Sequence, residues 1–333
     1  MRQAAIEGGF GIDKLVWREV ATPEPGCGQV LVQMQAASLN YRDYLVTLGK
    51  YNPKMPLPRV PLSDGAGVVS ALGEGVTAFS IGDRVAGIFM QTWLGGPYRD
   101  DYGKSALGGA VDGVLSEYAV FDADGLVRIP THLSFEEGAT LPCAAVTAWN
   151  ALFESGNVKP GDTVLVQGTG GVSIFALQFA KMAGARVIAT SSYPEKMEKL
   201  RAMGADWVLN YKENPDWGKS IAKAGRVDHV VEVGGVGSLE QSLIAVRGGG
   251  SVSMIGVLTG ILGSLSIGPI LHKHLRVQGI YVGSRAMFEN MNRAIQQVQM
   301  RPVIDIFFEA SEIQTALRYM ESAAHFGKIA VRI

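Results

Sequence analysis

Cysteine is scarce in this 333-residue chain, with only Cys27 and Cys143 present. Two thiols exclude a disulfide framework and a four-thiolate zinc site, and reduced cysteines are the simpler expectation. An excess of charge is missing as well. Thirty basic residues face thirty-one acidic ones, for a formal net charge of -1. Such a balance gives no general electrostatic drive toward nucleic acid or an anionic membrane, so neither is expected as a partner. No apolar run reaches membrane-spanning length, and the opening MRQAAIEGGFGIDK carries Glu7 and Asp13 without the apolar core of a signal peptide. A cytoplasmic protein is expected. Repeats and low-complexity tracts are also lacking, and the 42 glycines and 14 prolines are spread along the chain rather than gathered in a linker. The length calls for two domains, each able to bury a core.

The most informative stretch is VLVQGTGGVSIFALQFAKMAGARVIATSS at 164–192. A short apolar strand, Val164 to Val166, runs into Gly168, Thr169, Gly170 and Gly171, where backbone can approach a pyrophosphate closely. From Val172 onward, Phe175, Ala176, Phe179, Ala180 and Ala183 recur at helical spacing, and Gly184 ends the helix. The helix N-terminus then faces the phosphates. Ser173 stands where the third small residue of GxGxxG is usual, and serine is small enough for helix and strand to meet there. A glycine turn alone can be a tight bend that binds nothing. Here, however, strand-like runs at 208–209, 230–233, 252–255 and 277–282 alternate with helical segments around 194–203, 214–224 and 238–246. That alternation predicts an α/β fold with a doubly wound parallel sheet of the Rossmann type, its ligands at the carboxyl ends of the strands.

Cofactor choice turns on the end of the second strand, where an acid would hold the ribose hydroxyls of NAD. Thr190, Ser191 and Ser192 stand there instead, with Lys196 a turn later and Tyr211 after the third strand. Hydroxyls and an ammonium can bind a 2'-phosphate that an acid would repel, so NADPH is the expected cofactor. The alternative is that Ser191 and Ser192 cap the next helix and Lys196 is solvated surface.

Ahead of this segment lie short strands at 29–34, 67–71, 84–88 and 117–121, punctuated by Pro-Gly and Gly-Asp turns. Ser134 and Glu137 form a capping box that opens a helix toward Cys143 and Trp149. After the last parallel strand come a helix near 288–298, a strand, a helix over 311–324 and a final strand at 328–333, too few elements for a domain of their own. They are expected to complete the N-terminal domain, making the nucleotide domain an insertion.

Taken together, PxPGCGQVLVQMQAASLNYRD at 23–43, LGKY at 48–51, PLSDGAGVVSALGEGV at 61–76, GDRVAG at 82–87, LPCAAVTAW at 141–149, GTGGVS at 168–173 and FGKIAVRI at 326–333 resemble the medium-chain dehydrogenase/reductase superfamily, in its zinc-independent quinone oxidoreductase-like branch. The resemblance runs nearly the whole length. It implies a GroES-like, mostly β catalytic domain of residues 1–126 plus 284–333 and a Rossmann nucleotide-binding domain of 127–283. Where zinc members place metal ligands, this chain has Asn40, Ser63 with Asp64, and Cys143. Catalytic zinc asks for three protein ligands rich in thiolate or imidazole, so no metal is expected. Cys143 then reads as a small buried hydrophobe, with a surviving ligand as the alternative. The segment 88–112, where relatives carry a structural zinc, has no cysteine, and the five histidines are scattered, with His272 and His274 at strand spacing.

Without zinc, a conjugated acceptor is favoured, because a quinone or enone spreads the incoming negative charge over its own π system. NADPH-dependent hydride transfer to such a substrate is the activity the resemblance implies. Asn40, Arg42 and Tyr51 are the catalytic candidates: Asn40 as a hydrogen-bond donor to substrate or ribose, Arg42 as a partner of Asp43 or Asp64, and Tyr51 as proton donor or aromatic wall. Val282 and Ser284 follow the last sheet strand, where the nicotinamide is positioned, and Lys328 reaches the cofactor or caps structure. Met90, Trp93, Leu94, Tyr98 and Tyr102 form an apolar lip or a mobile lobe. The strand at 277–282 lies at a sheet edge that needs covering, so a homodimer is expected. Two other readings remain: a zinc alcohol dehydrogenase with an unusual ligand set, and an NADPH-binding structural or nucleic-acid-associated protein.

Overall fold

The computed structural model describes residues 1–333, which divide into two compact units: Met1–Val146 with Gly283–Ile333, and Thr147–Val282.

The first unit opens with a two-stranded ribbon, β1 (Arg2–Ile6) and β2 (Leu15–Glu19). β3 (Gln29–Leu39) is eleven residues long, QVLVQMQAASL; its Val, Leu, Met and Ala positions are buried and its only exposed position is Gln33. It pairs antiparallel with β4 (Asp64–Leu72), which carries β5 (Arg84–Gly87); β6 (Tyr118–Asp122) pairs with β3 and β7 (Leu126–Arg128) with β5. Between β3 and β4, α1 (Tyr41–Thr47) begins at Asn40, whose backbone N–H donates to the Asp43 carboxylate at 2.9 Å. The segment 88–112 is a packed lobe. Trp93 stacks on Tyr102 with ring centres 5.7 Å apart, and Tyr98 meets both edge-on. Met90, Trp93 and Tyr102 are thereby interior groups, and only Leu94 and Tyr98 remain exposed to act as a lip.

The capping box at Ser134 forms, but α2 (Phe135–Ala139) ends after five residues and passes into a run of widened turns interrupted by α3 (Val146–Trp149). Ser38 Oγ on β3 donates to Ala139 O at 2.9 Å. This contact, together with β7 pairing on β5, places residues 127–146 with the first unit, so the second unit starts at 147 rather than at the expected 127.

The second unit is the expected doubly wound sheet. Its strands β8 (Thr163–Gln167), β9 (Arg186–Ser191), β10 (Trp207–Asn210), β11 (Val227–Glu232), β12 (Val246–Met254) and β13 (Arg276–Gly279) run parallel in the order β10-β9-β8-β11-β12-β13. The strand order reverses between β8 and β11, which opens a crevice at their carboxyl ends. α4 (Gly171–Met182), α5 (Pro194–Ala202), α6 (Trp217–Ala224), α7 (Val236–Ala245) and the short α8 (Gly268–His272) supply the crossovers. Ser173 Oγ donates to Gln167 O at 2.6 Å, so the serine in the third-glycine place ties α4 to β8.

Returning to the first unit, α9 (Arg285–Val298), β14 (Ile304–Glu309), α10 (Ile313–Glu321) and β15 (Lys328–Arg332) complete it. β15 pairs with β3, and Ile329 and Val331 join Ile313, Leu317 and Met320 in the core beneath that sheet.

His229 is not a surface group: it is buried, with Nδ1 2.8 Å from Ser251 Oγ and Nε2 3.1 Å from Asp162 Oδ2, which compensate its polar atoms. His272 ends α8 and His274 adopts a left-handed turn (φ 51°), so the pair does not lie on a strand.

Candidate functional site

The candidate residues fall into two groups, one in each unit. In the second unit, Gly168 turns at φ 67° and donates its N–H to Thr190 O at 2.8 Å, bending the chain out of β8. A Cβ added at Gly168 or Gly170 would meet nothing within 4 Å, so the turn fronts open space. α4 starts from Gly170 without a side-chain cap, which leaves the first-turn amides around Gly171 and Val172 free to accept an anion. Thr169 is buried in the turn. The cradle fits the pyrophosphate of a dinucleotide, which Gly168, Thr169, Gly170, Gly171 and Val172 would hold.

At the end of β9 the geometry is more specific than the sequence suggested. Ser191 is buried in the strand, whereas the Ser192 hydroxyl accepts from Tyr211 OH at 3.1 Å. The cap position of α5 belongs to Tyr193 and has no side-chain hydrogen bond, so the serines do not cap that helix. Lys196 Nζ and Lys212 Nζ stand 5.2 and 5.4 Å from the centre of the same Tyr193 ring. The end of β9 thus carries a Ser192–Tyr211 hydrogen bond and, at the next residue, a tyrosine ring flanked by two ammonium groups. Lys212 and Tyr193 are additions to the expected set, and adjacency to Tyr211 and Ser192 was their only signal.

Val282, the last residue of this unit, adopts φ 58° with its carbonyl held by Asn150 Nδ2 at 2.8 Å. Ser284 lies in the other unit, buried, and accepts from Met287 N at 3.3 Å as the cap of α9.

In the first unit, Asn40, Arg42, Asp43, Ser63, Asp64, Cys143 and Lys328 form a mostly enclosed polar cluster. Lys328 is 2% exposed, and its Nζ donates to Leu39 O at 2.7 Å and Asn40 Oδ1 at 2.6 Å, 3.9 Å from Asp64 Oδ2. The Lys328 ammonium thus holds the loop that follows β3. Asp64 accepts from Ser63 Oγ at 2.6 Å and from Cys143 N at 3.1 Å. Burial raises its carboxyl above the ordinary range, with Lys328, Ser63, Asn40 and the Cys143 amide opposing. Asn40 Nδ2 lies near enough to Asp64 to help in this, yet it is buried and outside hydrogen-bonding geometry. Asp43 is pushed up to about 6 by burial, against the pull of Arg42.

Arg42 does not bond Asp43 closely. Its Nη1 donates to Leu107 O at 2.8 Å and stands 3.6 Å from Asp43 Oδ1. The guanidinium lies 4.7 Å from the centre of the Phe89 ring and 5.1 Å from that of Tyr51. Tyr51, 42% exposed, is the most exposed of the three catalytic candidates, and Arg42 stands against its ring.

As zinc ligands these residues fit poorly. Lys328 engages Asn40 Oδ1 and stands beside the Asp64 carboxylate, while burial and then the charge of Asp64 push the Cys143 thiol up, disfavouring the thiolate a metal requires. No imidazole joins the set, and no three His, Cys, Asp or Glu side chains gather as a metal site elsewhere in the chain.

Residues 26–131 match the family described as Alcohol dehydrogenase GroES-like domain, and residues 171–297 that described as Zinc-binding dehydrogenase. The Zinc-type alcohol dehydrogenase-like protein C1773.06c of Schizosaccharomyces pombe is 46% identical over 333 residues, 97% of this chain and 96% of that one. The Acryloyl-coenzyme A reductase of Metallosphaera sedula is 30% identical over 94% of each chain. A solved NAD-dependent alcohol dehydrogenase superposes over the whole of both chains with a TM-score of 0.90 and 32% identity.

Proposed function

The chain belongs to the medium-chain dehydrogenase/reductase superfamily, whose members are nicotinamide-dependent oxidoreductases, and from that premise we propose that it reduces α,β-unsaturated carbonyls or quinones with NADPH and without zinc. The observation that carries this reading is Lys328, a buried cation seated among Asn40, Leu39 and Asp64, where zinc-type relatives would gather ligands. With no Lewis acid to stabilise an alkoxide, the acceptor must delocalise the charge itself. An acryloyl thioester is such an acceptor, and the Metallosphaera reductase is named for one. Bound NADPH would supply the hydride.

This chain's residues would then do the following. Gly168 to Val172 hold the pyrophosphate, and Ser192, Lys196, Tyr211 and Lys212 bind the 2'-phosphate. Val282 and Ser284 shape the backbone that meets the nicotinamide. Tyr51 donates a hydrogen bond to the acceptor oxygen from its seat on Arg42, or walls the substrate while water brings the proton. Asn40 supports that loop from within, since its Oδ1 is held by Lys328 and its Nδ2 is enclosed.

The test is steady-state NADPH oxidation over a panel of enones, quinones, simple ketones and aldehydes. Turnover confined to the conjugated acceptors is expected; preferred turnover of simple carbonyls would favour alcohol dehydrogenase chemistry, the second reading, which the names of the relatives support. Cofactor binding with no turnover on any of them would favour a binding protein.

A homodimer belongs to the same proposal. β13 is an open sheet edge, and the segment that precedes it in sequence exposes Leu258, Ile261, Leu262, Ile267 and Leu271, Leu262 to 90%. An unpaired edge and exposed large apolar side chains each call for a partner, and a second copy can cover them symmetrically. Ile280 N donates inward to Met254 O, so by strand alternation the N–H of Gly279 points to the free edge. Gly279→Pro removes that donor and should convert a dimer to a monomer by light scattering; an unchanged dimer would take this strand out of the interface.

A further inference from the structure

Glu232, the last residue of β11, is completely buried. Its Oε1 accepts from Gly234 N at 2.8 Å, Gly235 N at 3.1 Å and Ser238 Oγ at 2.5 Å. Its Oε2 accepts from Gln167 Nε2 at 2.7 Å and from Ser242 Oγ. Five donors and no competing acceptor suit an ionised carboxylate, which is acceptor-only. Two consecutive glycine amides pointing at one oxygen make a small anion nest, and here the anion is part of the chain. The turn is built for this. Gly235 sits at φ 93°, and a Cβ at Gly234 would strike Ser238 Oγ. Thr259 then fastens the turn from the next loop, its N–H donating to Gly234 O at 2.7 Å and its hydroxyl accepting from Gly237 N at 2.9 Å.

The position gives the network a use beyond stability. Gln167 and Glu232 end β8 and β11, the two strands between which the order reverses, and Gln167 immediately precedes the Gly168 turn. Their 2.7 Å hydrogen bond spans the crevice floor. We propose that Glu232 is a positioning residue for the dinucleotide: it fills the Gly234–Gly235 nest from within, leaving the Gly168–Val172 turn as the phosphate-accepting end, and through Gln167 it fixes the spacing of the two loops that flank the cofactor. The inference rests on the proposal that this crevice binds NADPH.

The test is NADPH binding, followed by nucleotide fluorescence, for the full-length wild type, Glu232→Gln and the exchange Gln167→Glu with Glu232→Gln, each melted by circular dichroism in parallel. Glu232→Gln puts an amide donor against the Gln167 and glycine donors. The dissociation constant of the folded variant should rise roughly 10-fold as preorganisation is lost, with kcat changing much less than KM. The exchange keeps one carboxylate–amide bridge and should recover most of the affinity, whereas a merely structural role predicts lower melting temperatures with unchanged binding by the folded fraction. If Glu232→Gln does not fold, Gln167→Leu, which deletes the bridge together with the 2.6 Å donation from Gln167 Nε2 to Ser242 Oγ and leaves the Glu232 nest in place, is read in the same way. Wild-type affinity in the folded variant, or no recovery in the exchange, overturns the inference alone; a wild type that binds neither NADPH nor NADH overturns it together with the proposed function.

Discussion

Replacing Lys328 by methionine is expected to destabilise the fold by about 3–5 kcal/mol, the range for removing one partner from a buried ion pair. Methionine keeps the bulk of the stem, so the loss is chiefly electrostatic. Asp64 stays fully buried with its Ser63 and Cys143 donors but loses the nearby ammonium, and Asn40 Oδ1 and Leu39 O lose their donor. Adding Asp64→Asn should recover a large part of the loss, because the pair is then replaced by neutral groups rather than broken. The pH dependence carries a sign. Asp64 is already raised by burial, and without Lys328 it rises further. An acid whose folded pKa lies above its unfolded value favours the fold in its protonated form, so Lys328→Met should approach wild-type stability as pH falls and diverge as pH rises through that folded pKa. Urea melts of the three proteins at several pH values read both effects. Equal stability of Lys328→Met and wild type near neutrality would remove the charge pair from the description of this site.

Ser192→Asp is expected to lower the NADPH-to-NADH ratio of kcat/KM by roughly 100-fold, equivalent to nearly 3 kcal/mol of discrimination. The carboxylate would repel a 2'-phosphate while offering an acceptor to the ribose hydroxyls of NADH, and it would also draw Lys196 and Lys212 toward itself. Lys212→Gln should move the ratio in the same direction by a smaller factor, since one of the two ammonium groups over Tyr193 remains. Kinetics with both dinucleotides decide the matter. An unchanged ratio in Ser192→Asp would place the 2' end of the cofactor elsewhere and return the choice toward NADH, as in the solved NAD-dependent relative.

Local pattern made much of the molecule legible. The Gly168 turn, the apolar stripe of α4 and the β/α alternation after it are consequences of nearest-neighbour spacing, and they led directly to the parallel sheet. Pairings across long stretches of chain were not legible. Lys328 meets Asn40 across 288 residues, and no property of FGK specifies whether its ammonium turns inward. Glu232 reads as the polar end of a strand until Gln167, 65 residues earlier, is brought beside it. Lys212 was closer to hand, but only the placement of Tyr193 shows that it shares a ring with Lys196. The junction at 147 was hidden for the same reason, since residues 127–146 join the first unit through contacts with β3 and β5 that lie far upstream.

Metal content and activity measured on one sample bear most directly on a reductase that works without zinc. Protein dialysed against a strong chelator should hold far less than one zinc per chain and still oxidise NADPH with a conjugated enone at an undiminished rate, with added zinc giving no gain. Loss of that activity on chelation and its return with one equivalent of zinc would contradict the role given to Lys328 and restore the alcohol dehydrogenase reading.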